Sequence, residues 1–188
     1  LGDVYKRQIP QESKSYLVMG GSMGFGKIQI FVLELARRME ADENMVVICG
    51  NNKKLETLLK RELVHRKNVR VLGYTDQVAA YMAACDVIFT KPGGLSSTEA
   101  AVMGIPMVHT NPIPGCETKN VEFFQKHGMS IGKRSFVGQV RAGEKLLERE
   151  KLRVEMQEAQ KKNSRPEAAE RICKLLEELI GKANEMID

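Results

Sequence analysis

Tryptophan is absent, and aromatic residues make up only 5% of the 188-residue chain. No basic run is interleaved with aromatics, so the stacking-and-phosphate pattern of nucleic-acid binders is missing. Long apolar runs are missing too. A membrane-spanning helix needs about 20 apolar residues, whereas stretches such as Met45 to Cys49 are strand-sized. Cysteine is sparse. Cys49, Cys85, Cys116 and Cys173 lie far apart, with no CxxC pair and no histidine cluster beside them. That argues against a zinc site or a disulfide framework and fits a reduced setting. His65, His109 and His127 show no partner pattern and read as surface, strand-end and helix-end residues. Residues 1–15 are polar and lack an apolar core, so no signal peptide is expected. The chain begins at Leu1 rather than methionine, which suggests a fragment whose N-terminal part is missing.

What is present is an ordinary globular composition, 43% hydrophobic and 28% charged, in a length that suits one domain. A net charge of +5 permits an anionic partner, either a nucleotide or an anionic membrane surface.

Strand-like and helix-like segments alternate along the sequence. Tyr16 to Met19 is β-rich and ends at Gly20-Gly21. Ile28 to Met39 follows with helical periodicity, placing Ile28, Phe31, Val32, Leu35 and Met39 on one face. Met45 to Cys49 is the next strand. Lys53 to Val64 reads as a helix with Leu55, Leu58, Leu59 and Leu63 on one side. Val69 to Leu72 is a strand, Gln77 to Ala84 a short helix, and Pro106 to Thr110 a further strand. Glu117 to Lys126 is helical. Past Phe136 the pattern is helical and charged, from Glu144 to Lys162 and from Pro166 to Lys182, with Pro166 suited to a first helical position. These last helices are expected to pack on the domain. Successive βα units predict an α/β, Rossmann-like parallel sheet with helices on both faces, plus extra C-terminal helices. Ligands in such sheets bind beyond the carboxyl ends of the strands. Gly20, Gly50, Gly73, Gly93 and Pro112 all fall there.

The segment from Asp86 to Glu99 carries the most chemistry. Val87, Ile88 and Phe89 form a short apolar strand, Pro92-Gly93-Gly94 ends it, and a helix follows that should stop at Gly104. Ser96, Ser97 and Thr98 are N-cap candidates, with Glu99 in or near the first turn. A helix N-terminus at a strand end points bare N–H groups at a ligand, a geometry that suits phosphate. The Glu99 carboxylate is a good acceptor for two vicinal hydroxyls, such as those of a ribose. Together they suggest a nucleotide; a buried turn with a solvated acid is the plain alternative.

The loop Gly20-Gly21-Ser22-Met23-Gly24-Phe25-Gly26-Lys27 also joins a strand to a helix. The dinucleotide fingerprint GxGxxG fails in register, because its third glycine falls on Gln29. The P-loop GxxxxGK[ST] matches at Gly21, Gly26 and Lys27 but has Ile28 where a hydroxyl should hold Mg²⁺. What remains is a glycine turn able to hold a diphosphate without hydrolysing it. A third loop, Asn111 to Asn120, brings amide, acid and thiol groups to the same rim.

Four segments in order carry a family resemblance: Met19 to Gly24, Gly73 to Asp76, Lys91-Pro92-Gly93-Gly94-Leu95-Ser96-Ser97-Thr98-Glu99-Ala100, and Pro114 to Asn120. They resemble the nucleotide-sugar-binding, C-terminal half of GT-B glycosyltransferases, nearest to monogalactosyldiacylglycerol synthases and processive diacylglycerol glucosyltransferases. The enzyme that adds N-acetylglucosamine to lipid I is a more distant likeness. The resemblance covers about residues 15–165.

It implies roles residue by residue. Gly21, Ser22 and Gly24 would line the diphosphate of a UDP-sugar. Tyr74 and Thr75 would flank the uracil. Gly94, Leu95 and Ser96 would meet the phosphates, and Glu99 would hold the ribose. Gly115, Cys116, Glu117 and Asn120 would face the sugar. Relatives commonly carry glutamine at the position of Cys116, and a thiol reads sugar hydroxyls poorly. The likeness further implies a metal-independent transferase with a lipid acceptor such as diacylglycerol, cytoplasmic and peripheral on the inner face of the membrane. Residues 1–14 would be a linker and 15–188 the donor domain. The acceptor and the catalytic base would belong to an absent N-terminal domain, leaving this fragment inactive alone. No cofactor and no nucleic-acid partner are implied. A UDP-sugar epimerase of the same architecture, a P-loop NTPase and a non-catalytic interaction module are the competing accounts.

Overall fold

The structure is a computed structural model and describes residues 13–20, 28–110 and 112–185. Six strands form one parallel sheet: β1 (Ser15–Met19), β2 (Asn44–Ile48), β3 (Val69–Leu72), β4 (Val87–Thr90), β5 (Met107–His109) and β6 (Ile131–Gly132). Their spatial order is β3-β2-β1-β4-β5-β6. The order reverses between β1 and β4, which pair from Tyr16↔Val87 to Met19↔Thr90. Their carboxyl ends therefore open side by side into the switch-point crevice where α/β sheets bind ligands.

Eight helices are described: α1 (Ile28–Arg38), α2 (Lys53–Glu62), α3 (Val78–Ala84), α4 (Gly94–Met103), α5 (Thr118–Lys126), α6 (Phe136–Glu148), α7 (Glu150–Asn163) and α8 (Ala168–Glu185). The strands are apolar on both faces because both faces are covered. On one face Tyr16, Val18, Val47 and Phe89 pack with Phe31, Leu35, Leu59 and Leu146. On the other, Leu17, Ile48, Ile88 and Met107 pack with Met82, Ala100 and Phe124. Phe89 sits at the centre of the first layer, its ring 5.6 Å from that of Tyr16 and edge-on to Phe31 at 4.9 Å. Gly143 of α6 lies directly over it; a Cβ there would stand 2.1 Å from Phe89 Cζ.

The expected helix faces are the buried ones: Ile28, Phe31, Val32 and Leu35 on α1 with Met39 just past its end, and Leu55, Leu59 and Leu63 with α2. The C-terminal third departs from expectation. The apolar-charged pattern hid a break at Arg149, which separates α6 from α7. Arg153 stabilises that break by donating to Leu146 O (2.8 Å) and Leu147 O (2.6 Å), the last carbonyls of α6. Pro166 does not open the last helix; it lies in the turn before Ala168. Nor does α8 pack as α6 and α7 do, since Ile172, Leu175, Leu176, Leu179 and Ile180 stay exposed. β6 was not foreseen, because Ile131 and Gly132 are too few residues to show a strand period. Among the described residues no helix is long and apolar enough to cross a membrane.

Candidate functional site

The carboxyl ends of β4 and β5 build the best-defined part of the rim. α4 begins at Gly94 with Gly93 as its N-cap, three residues earlier than the first candidate cap, Ser96. Gly93 has the extended backbone of an N-cap, φ −70° and ψ 146°, so the helix starts immediately after it. Ser96, Ser97 and Thr98 consequently lie inside the helix, and Glu99 is in its second turn. Among the described residues no side chain caps the N-terminus. The Thr98 hydroxyl instead donates backward to Gly94 O at 2.7 Å, and the Ser97 hydroxyl is engaged below the helix. A helix start leaves its first N–H groups without intrahelical partners. Here no side chain of α4 itself competes for the N–H groups of Gly94, Leu95 and Ser96, since the Ser97 and Thr98 hydroxyls are engaged elsewhere.

A Cβ at Gly93 or Gly94 would meet nothing within 4 Å, and Gly93 has an ordinary φ of −70°. The fold itself does not require glycine at either position. The space they leave is space for another molecule to approach the backbone. Leu95 beside them is 81% exposed.

At the end of β3, Gly73 allows the Glu56 carboxylate to close in; a Cβ would stand 2.6 Å from Glu56 Oε2. Tyr74 follows and is 72% exposed, so it is not a packing residue. Thr75 Oγ1 accepts from Gln77 N (3.1 Å), forming the turn that starts α3. Next to this turn a cavity of about 510 Å³ opens between α3, α4 and the approach to α8. Asp76, Thr98, Glu99 and Arg165 supply its polar lining, and Val78, Met82 and Met103 its apolar walls. That volume lies within the range of small-molecule sites.

The loop after β5 turns at Gly115, whose φ of +81° favours glycine. Glu117 is the N-cap position of α5; its Oε2 accepts from Ile113 N at 2.8 Å and closes the loop. Asn120 Nδ2 donates to Pro92 O at 2.8 Å, tying α5 to the turn ahead of α4. Cys116 is an exposed free thiol at the loop's tip. The structure thus brings the 112–120 loop and the 91–96 turn together, while Glu99 and Asp76 line the cavity along α4 and Tyr74 and Thr75 are not among its lining residues. Gly21, Ser22 and Gly24, with the rest of the loop after β1, lie outside the described residues, as does Asn111. Among the described residues no three His, Cys, Asp or Glu side chains form a group that could hold a metal ion.

His109 is what the sequence reading missed. It does end a strand, but it is 1% exposed and has two partners. Nε2 is 3.1 Å from Ser97 Oγ, and Nδ1 is 3.1 Å from Ser130 Oγ. The Phe124 ring stands edge-on, 5.4 Å away. The partners are 12 and 21 residues distant along the chain, so no local pattern reveals them. Burial pushes the imidazole pKa down from 6.5 to about 4. Above pH 6.5 both folded and unfolded states hold a neutral ring, and pH has no leverage on this group. Below it the unfolded chain binds a proton that the folded one refuses, so stability falls until the pH reaches about 4. The loss should total up to about 3 kcal/mol. Urea unfolding of wild type and His109→Gln across that window measures it, because the variant lacks this component.

The fold matches solved structures closely. MurG from Acinetobacter baumannii superposes with a TM-score of 0.71 at 20% identity, covering 93% of this chain and 52% of MurG. A UDP co-structure of S. aureus MnaA gives 0.75 at 17% identity, covering 94% and 48%. In sequence, a processive diacylglycerol beta-glucosyltransferase of Bacillus subtilis is 34% identical over 135 residues, 70% of this chain and 35% of that enzyme. The chain spans about a third of the length of the curated relatives it matches. The model of the family described as glycosyl transferases group 1 matches residues 4–163 of the 188. The chain belongs to the group 1 glycosyl transferases.

Proposed function

We propose that this domain binds the UDP-sugar donor of a glycosyltransferase that adds a hexosyl group to a lipid such as diacylglycerol. One observation carries the reading: α4 opens at the switch point with no side-chain cap among the described residues, behind two glycines with open space at their Cβ positions. A diphosphate fits that opening. Gly94, Leu95 and Ser96 offer it N–H groups at the positive end of the helix dipole. Gly21, Ser22 and Gly24 are assigned to its other side. Glu99 takes the ribose hydroxyls, and Tyr74 with the Thr75 backbone flanks the base. The loop through Gly115, Cys116, Glu117 and Asn120 meets the sugar. Of these, Cys116 is free to contact a ligand, while Glu117 and Asn120 also brace the loop.

When the glycosidic bond to the donor breaks, negative charge grows on the departing diphosphate. Fixed N–H dipoles aimed at it lower the barrier without a metal ion. The lipid acceptor, the catalytic base and contact with the inner face of a membrane are assigned to residues outside this chain. The domain alone therefore binds donor without transferring it. The glucosyltransferase names among the sequence relatives favour transfer over epimerisation.

Calorimetric titration with UDP and ADP, each with and without Mg²⁺, tests the proposal. UDP should bind at least tenfold more tightly than ADP, and Mg²⁺ should change its affinity by less than twofold. Mg²⁺-dependent binding of ADP would instead move the site to the loop at Gly21–Lys27. No binding of either would leave an interaction module.

A further inference from the structure

We propose that His109 is the positioning residue for the N-terminus of α4, acting through Ser97. The inference rests on the donor-site reading only for its effect on UDP. Ser97 is the fourth residue of α4, its N–H bonded to Gly93 O at 3.1 Å. Serine this close to a helix start ordinarily competes for backbone N–H groups. Here its hydroxyl is fully buried and held by His109 Nε2. The opposite nitrogen is held by Ser130, in the segment that enters β6.

A neutral imidazole has one donor and one acceptor nitrogen, and a hydroxyl can play either part, so the chain Ser97–His109–Ser130 is satisfied in either tautomer. The ring also cannot rotate freely. Phe124 stands edge-on to it, and β5 holds its backbone. The result is a buried brace from the sheet to the first turns of α4, beneath the N–H groups offered to the diphosphate. It keeps the Ser97 hydroxyl off those groups and sets the height of the helix start relative to the rim.

The two nitrogens can be separated chemically. A glutamine amide reaches the place of Nε2 and can keep the bond to Ser97. An asparagine amide reaches only the place of Nδ1 and can keep the bond to Ser130. The experiment compares His109→Gln, His109→Asn, Ser97→Ala and Ser130→Ala by UDP titration, thermal unfolding and amide hydrogen exchange. His109→Asn and Ser97→Ala should weaken UDP binding five- to tenfold and speed exchange of the Ser97 amide and its successors in α4. His109→Gln and Ser130→Ala should stay within twofold of wild type on both readouts, although all four lower the melting temperature.

Affinity that simply tracks melting temperature, or Gln and Asn variants that behave alike, would overturn the proposal. If wild type binds no UDP, the donor reading fails. The brace is then judged by exchange alone: faster exchange confined to Asn and Ser97→Ala supports it, and uniform exchange rejects it.

Discussion

Replacing Gly143 with alanine should destabilise the domain by about 2–3 kcal/mol, although the same exchange in an ordinary helix interior stabilises by roughly 1 kcal/mol. The sign is decided by distance. The new methyl would stand 2.1 Å from Phe89 Cζ and 2.9 Å from Cε1. Carbon atoms in contact prefer about 3.5–4.0 Å. Neither partner can yield cheaply. Phe89 is fully buried beside the rings of Tyr16 and Phe31, and α6 packs against β4 and β5. The helix must lift or the ring must leave its rotamer, and either opens the first core layer. Urea unfolding measures the loss. Repeating it in a Phe89→Leu background isolates the cause, since a smaller side chain removes the overlap. The Gly143→Ala penalty should fall below about 1 kcal/mol there. An equal penalty in both backgrounds would show that Phe89 is not the obstacle. Gly94 offers the contrast. A Cβ there meets nothing, so Gly94→Ala should leave stability nearly unchanged.

Glu99→Ala should weaken UDP binding about 30-fold, equivalent to roughly 2 kcal/mol, with stability changed by no more than about 0.5 kcal/mol. Glu99 is exposed on α4 and lines the cavity beside Asp76, so its removal takes nothing from the core. A carboxylate accepting from two vicinal hydroxyls makes two charge-assisted bonds, each stronger than a neutral one. Solvent access keeps their sum well below the buried limit. Glu99→Gln keeps the shape and one acceptor oxygen and should lose about 5-fold. The ribose assignment has its own check in 2′-deoxy-UDP. Wild type should bind it more weakly than UDP, while Glu99→Ala should bind the two alike. If the alanine variant kept its preference for the ribose form, the clamp would have to be another residue.

Much of this architecture was legible because it is written in local periodicity. The apolar face of α1 and the leucines of α2 recur at helical spacing, and the buried strands are short apolar runs ending at glycine. Both signals come from neighbours a few residues apart. The Asp86–Glu99 segment was legible for the same reason, as an apolar strand, a Pro-Gly-Gly stop and a hydroxyl-rich helix start.

The exact start of α4 was not. Ser96, Ser97 and Thr98 have cap chemistry, but capping is settled by which groups lie nearby in space, and His109 and Gly94 O take two of those hydroxyls. Arg149 breaks the helical run expected from Glu144 to Lys162, where Arg153 donates to two carbonyls near the end of α6, a contact that no propensity encodes. Pro166 fits the first position of a helix, yet it stands in the turn before α8.

By itself the sequence determined the alternation of strand and helix, hence a parallel sheet with its loops on one rim, and the residue types gathered there. Short-range spacing and composition suffice for that, because crossover handedness and burial leave few alternatives. Only the tertiary structure decided that β1 and β4 open side by side, that no described side chain caps the α4 N-terminus, and that His109 is buried between two hydroxyls rather than a strand-end bystander. Each depends on groups 12 to 71 residues apart meeting in space, and one-dimensional patterns carry no record of such meetings.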